Sequence, residues 1–148
     1  MLGKLCSGKG TFCKFFTSKP LNYHHVTTSD IVKRLTGLQT RSTLQFTETL
    51  DADIASELIN IIKTNPKTII DGIRQPSIID AIINAFGISN VELIWLDVPD
   101  DVRLQRFNDR QDKKDDQSFE DAEQGDIKLG LLQVESIYKN MSNIVFNV

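Results

Sequence analysis

The spacing G-x-x-x-x-G-K, filled by Gly3, Gly8 and Lys9 in "GKLCSGKGT", constrains the fold more than any other stretch of the 148-residue chain. Such a loop turns successive backbone N–H groups inward, runs them into a helix N-terminus and adds one lysine charge, so all three act on a single anion, a phosphate. It has to hang from a buried strand and open a helix. The helix is legible: from Gly8 to about Lys19, Phe12, Phe15 and Phe16 recur at helical spacing and Pro20 stops the run, so the phenylalanine side is expected inside. The strand is not, because only Met1 and Leu2 precede Gly3. A central strand supplies about five buried apolar residues, or roughly 10 kcal/mol. A start truncated relative to a functional protein, or a sheet completed by an unusual route, is therefore expected.

Downstream, short apolar runs alternate with helical patterns. "NYHHVTT" reads as a strand, and "TSDIVKRL" as a helix with Ser29 or Asp30 placed to cap it. In "DADIASELINIIK", Ile54, Leu58, Ile61 and Ile62 share one helical face. "PKTIID" and "VELIWLDV" read as buried parallel strands, and between them "PSIIDAIINAFG" is a helix opened by Pro76 and closed by Gly87. "PDDVRLQRFNDRQ" reads as a helix that sends Arg103, Arg106 and Arg110 along nearly one face. "DKKDDQSFEDAEQGD" is dense in charge, and "IKLGLLQVESIYKNM" precedes a last strand, "NIVFNV". This order predicts one α/β domain over 1–148, a parallel sheet with helices on both faces, and a ligand at the carboxyl ends of the strands.

Asp71 closes the hydrophobic run "TIID", where a carboxylate can hold magnesium, directly or through water, beside a triphosphate. Gly72 leaves room for a phosphate, and Arg74 offers bidentate contacts to an acceptor phosphate or carboxylate. Asp30 is a candidate for orienting or deprotonating an acceptor hydroxyl, with helix capping as its competing role. Arg34 and Arg41 are candidates for acceptor phosphate. His24 and His25 point to opposite faces of a strand and cannot form a joint site. Cys13 reads as core, Cys6 as a loop residue that needs only its backbone, and Trp95 as core packing.

The pair "GKGT" and "DGIR" resembles the nucleoside monophosphate kinase superfamily, including its adenylate kinases. "SDIVKRL", "RLQRFNDR", "SFEDAEQGDIKLGL" and "NIVFN" resemble a small group of dephospho-coenzyme A kinase-like proteins, so the likeness covers nearly the whole chain. The resemblance implies a P-loop NTPase-type sheet of about five strands, an acceptor-binding insertion over about 28–66 and a small lid over about 110–127. It implies ATP and Mg2+ as cofactors. Donor phosphates fall to Gly3, Ser7, Gly8, Lys9, Gly10 and Thr11, and the acceptor to Asp30, Arg34, Arg41 and Arg74. Catalysis falls to Lys9, Asp71 and Asp30, with Arg106 and Arg110 as lid arginines. Gly10 stands where the commonest pattern has a hydroxyl, which implies metal held through water and Asp71, with Thr11 left to a more proximal phosphate.

The expected activity is transfer of the γ-phosphoryl of ATP to a (deoxy)nucleoside monophosphate, or alternatively to dephospho-coenzyme A. A degenerate module that binds ATP without turnover is the alternative of another class. A kinase of polynucleotide ends would want a basic groove, which a net charge of −3 from 17 basic and 20 acidic residues does not favour. The expected partner is thus a small nucleotide or coenzyme A precursor, with no nucleic acid or membrane. Two cysteines make no disulfide framework, and no run approaches 18 apolar residues, so a cytoplasmic protein is expected.

Overall fold

A computed structural model describes residues 1–37, 48–110, 117–142 and, for the backbone, 144–147. Among the described residues, five parallel strands and seven α-helices follow one another: β1 (Leu2–Gly3), α1 (Lys9–Thr17), β2 (His24–Thr27), α2 (Thr28–Thr36), α3 (Glu48–Thr64), β3 (Thr68–Asp71), α4 (Pro76–Phe86), β4 (Ile94–Asp97), α5 (Asp100–Asn108), α6 (Phe119–Lys128), α7 (Leu131–Met141) and β5 (Ile144–Asn147). β2 pairs with β3, and β1, β4 and β5 form the second ladder in the order β1-β4-β5. The mixed α/β architecture with parallel sheets is the one the alternating pattern predicts.

The first strand exists, but it is two residues long. Leu2 lies opposite Trp95 and Gly3 opposite Leu96. On its other side the amino nitrogen of Met1 donates to the carbonyl of Ile70, 2.7 Å away, which ties β1 to β3. Beyond Met1, β3 and β4 flank an apolar cleft of about 640 Å³ lined by Ile70, Ile73, Ile82 and Leu93.

Punctuation in the sequence sets most element ends. Pro76 occupies the first turn of α4, where its missing N–H costs nothing, and Gly87 at φ 82° closes it with its N–H on the Ile83 carbonyl. In α3, Ile54 and Leu58 are fully buried one turn apart, with Ile61 and Ile62 packed beside them. They join Ile31, Ile78, Trp95, Val134 and Tyr138 in the main core, which α2, α3, α4 and α7 build around the strands.

Two expectations change. Cys13, not the phenylalanines, is the buried residue of α1, and Phe15 is 67% exposed, because the helix turns its Cys13 side onto β2 and β3. The cap of α2 is Thr27, whose hydroxyl accepts from the Asp30 N–H, so Asp30 sits in the first turn instead of capping it. Part of the charge-dense segment forms α6, in which Phe119 and Asp126 are buried. Residues 38–47 of the insertion, with Arg41, and 111–116 of the lid region lie outside the described residues.

Candidate active site

The loop is built by what its residues exclude. Gly3 has φ 135°, and a Cβ there would lie 2.7 Å from the Leu96 carbonyl and 2.9 Å from Ser7 Oγ, so only glycine lets β1 pass β4 and turn. Cys6 at φ 57° and Gly8 at φ 91° complete the turn, and Gly8 precedes α1 in a left-handed conformation with no side-chain cap. The first turn of a helix leaves N–H groups without intrahelical acceptors, and the residues that carry them here, Lys9, Gly10 and Thr11, line a cleft of about 600 Å³.

From below, the loop rests on a small cluster of Leu5, Cys6 and Phe119 with Phe107 and Ala122. Arg103 holds it from behind. Its guanidinium is 1% exposed, donates to the Leu5 carbonyl at 3.2 Å, pairs with Asp100 and Glu123, and stacks over the Phe119 ring. The arginine row therefore divides. Arg103 braces the loop, Arg106 reaches the Cys6 carbonyl at 3.5 Å, and only Arg110 lines the cleft.

Lys9 lies inside the loop. Its Nζ donates to the carbonyls of Gly3 at 2.8 Å and Lys4 at 2.6 Å, and to Ser7 Oγ at 3.3 Å. Burial, and after it the Arg74 charge, lower its pKa to about 8. A buried cation in that state gains from a polyphosphate anion placed beside it. Lys9, Lys14, Lys33, Arg74 and Arg110 line the cleft against Asp30 and Asp71, so the site is locally basic on an acidic chain.

Asp71 ends β3 opposite Thr27 of β2, and its backbone carbonyl accepts from the buried Thr28 hydroxyl at 3.0 Å. Its carboxylate is 3.1 Å from His25 Nε2 and also engages the Cys13 thiol. Gly72, at φ 83°, lets the chain leave the strand over Thr28. Arg74 lines the cleft, but its guanidinium is occupied: Nη1 donates to the Gly72 carbonyl at 2.6 Å, and Nε pairs with Asp126 of α6. Asp30 is exposed at the cleft wall. Arg34 is not brought there; it reaches Glu57 on α3 at 2.6 Å, and Lys33 lines the cleft instead.

The structure thus gathers Ser7, Gly8, Lys9, Gly10, Thr11, Asp30, Asp71, Arg74 and Arg110 around one cleft, with Gly3 shaping it from β1. The donor set suits magnesium carried by a triphosphate, since that ion keeps several waters and needs only one or two protein carboxylates, and Asp71 lines the cleft. Sequence reasoning missed His25, Asp126 and Glu123. The last two are acids in a charge-dense run and carry no local sign of their arginine partners; His25 becomes visible only through the β2–β3 register.

The sequence pattern of a family described as "AAA domain" matches residues 1–128. Among solved structures, the fold is similar to an unliganded sugar kinase from a Janibacter species, with a TM-score of 0.70 and 15% identity, over 99% of this chain and 82% of that one. No curated protein matches in sequence. Among the described residues, no helix is long and apolar enough to cross a membrane.

Proposed function

Since the chain belongs to the AAA-domain family whose pattern spans residues 1–128, we propose that it is an ATP-dependent phosphotransferase acting on a small nucleotide-like acceptor, first a (deoxy)nucleoside monophosphate. The observation that carries this reading is the meeting of the Lys9 loop, Asp71 and Arg74 at one cleft of about 600 Å³. Loop N–H groups and Lys9 bind the donor phosphates, and Arg110 brings charge to the cleft from the end of α5. Magnesium, when bound with the triphosphate, neutralises charge on the donor oxygens. Asp71 would hold that ion through water, and Thr11 would bond a more proximal phosphate. Phosphoryl transfer needs little more from a protein than this positioning and charge.

A second reading, transfer to a hydroxyl as in dephospho-coenzyme A, is favoured by Asp30, a carboxylate exposed at the cleft wall and available to take a hydroxyl proton. The two are separated by following acceptor-dependent ADP release with monophosphates, dephospho-coenzyme A and simple sugars. Release with a monophosphate supports the first reading, and release only with a hydroxyl acceptor supports the second. ATP binding with no acceptor-dependent release across the panel would leave a non-catalytic module and overturn both.

A further inference from the structure

Cys13, His25 and Asp71 come from three elements, α1, β2 and β3, yet their ligand atoms all lie within 4.8 Å of one another. We propose that they form a binding site for a soft divalent cation, zinc foremost, sharing Asp71 with the phosphate cleft. A tetrahedral ion with one sulfur, one imidazole nitrogen and one carboxylate oxygen sets ligand–ligand edges of roughly 3.3–3.7 Å. His25 Nε2 and Asp71 Oδ2 are already 3.1 Å apart, so closure requires side-chain shifts of about 1 Å at most.

The chemistry of the three donors separates this site from the magnesium role of Asp71. Magnesium takes oxygen ligands in octahedral geometry, whereas thiolate and imidazole select zinc and its neighbours. Cys13 is fully buried and brings the thiol from behind the loop helix, while His25 and Asp71 open onto the cleft. That opening provides access and a fourth position for water or a phosphate oxygen, as three-ligand zinc sites have. On binding, the Cys13 S–H proton leaves to solvent and the sulfur lone pair is donated to the metal, with no change of oxidation state.

If the phosphotransferase reading holds, an ion bound here engages the carboxylate that serves magnesium, and zinc inhibits turnover. The site itself is tested without nucleotide. Titrating the protein with cobalt(II) alone should give tetrahedral visible bands and a near-ultraviolet thiolate-to-metal band, both displaced by zinc. Cys13→Ser, checked for folding by circular dichroism, should lose the thiolate band and bind at least about tenfold more weakly. His25→Gln should bind more weakly by a similar factor while keeping sulfur ligation, and Cys6→Ser should retain wild-type bands. An octahedral spectrum lacking sulfur ligation, or a thiolate band that survives in Cys13→Ser, would overturn the site and leave a hydrogen-bonded cluster only. Because no ATP enters these titrations, their outcome is independent of whether the chain is a kinase.

Discussion

Replacing Lys9 by Met should change how stability depends on pH, and the size follows from the burial of its ammonium. With a native pKa of about 8 against 10.5 in the unfolded chain, the shift amounts to about 3 kcal/mol at about 1.4 kcal/mol per unit. The native state holds this proton less tightly. Below pH 8 both states are protonated and the full cost is present; between 8 and 10.5 the unfolded chain holds a proton the native one has released, so stability rises with pH; above 10.5 the cost is gone. The Cys13 thiol, raised to about 12, works in the opposite direction above pH 9, and the buried Met1 amino group is lowered. Both groups are present in the two proteins, and the Lys9 charge is the smallest of the causes acting on each, so most of their contribution drops out of the difference. Urea denaturation followed by circular dichroism at several pH values should therefore show wild type gaining about 3 kcal/mol on Lys9→Met between pH 8 and 10.5. Parallel curves would refute the buried, charge-penalised lysine. A bound triphosphate reverses the shift, so ATP binding at pH 9, measured by calorimetry in buffers of different ionisation enthalpy, should take up about one proton.

Other substitutions test the scaffold. Gly3→Ala meets the Leu96 carbonyl at 2.7 Å with a φ of 135°, and should cost at least about 3 kcal/mol in urea denaturation. Asp126→Ala leaves the Arg74 guanidinium buried without its carboxylate and should cost about 3 kcal/mol. Gly10→Ala enters open space inside α1, and thermal denaturation should show a gain of about 0.5 kcal/mol.

Legibility in the sequence followed the range of the interactions. Helix and strand positions were set locally, by Pro76 and Gly87 around α4, by Ile54 and Leu58 one turn apart in α3, and by the apolar run before Asp71, so they could be read from spacing alone. The loop was legible for the same reason. What could not be read depended on partners distant in the chain. Asp126 and Glu123 look like solvated acids until α6 packs against Arg74 and Arg103. His25 looks like a strand residue with no partner until β2 aligns with β3 and places it beside Asp71, 46 residues away. The three phenylalanines of α1 fit a buried stripe by period, but the sheet meets the Cys13 side and leaves Phe15 in water.

The central claim, that the Gly3–Thr11 loop holds the phosphates of ATP, is tested most directly by calorimetric titration of ATP into wild type and Lys9→Met. Removing a charge-assisted contact worth about 1.5–3 kcal/mol should weaken ATP about 10- to 100-fold, and inorganic tripolyphosphate should displace ATP from wild type where adenosine does not. Equal ATP affinity in the two proteins, or competition by adenosine but not by tripolyphosphate, would contradict it.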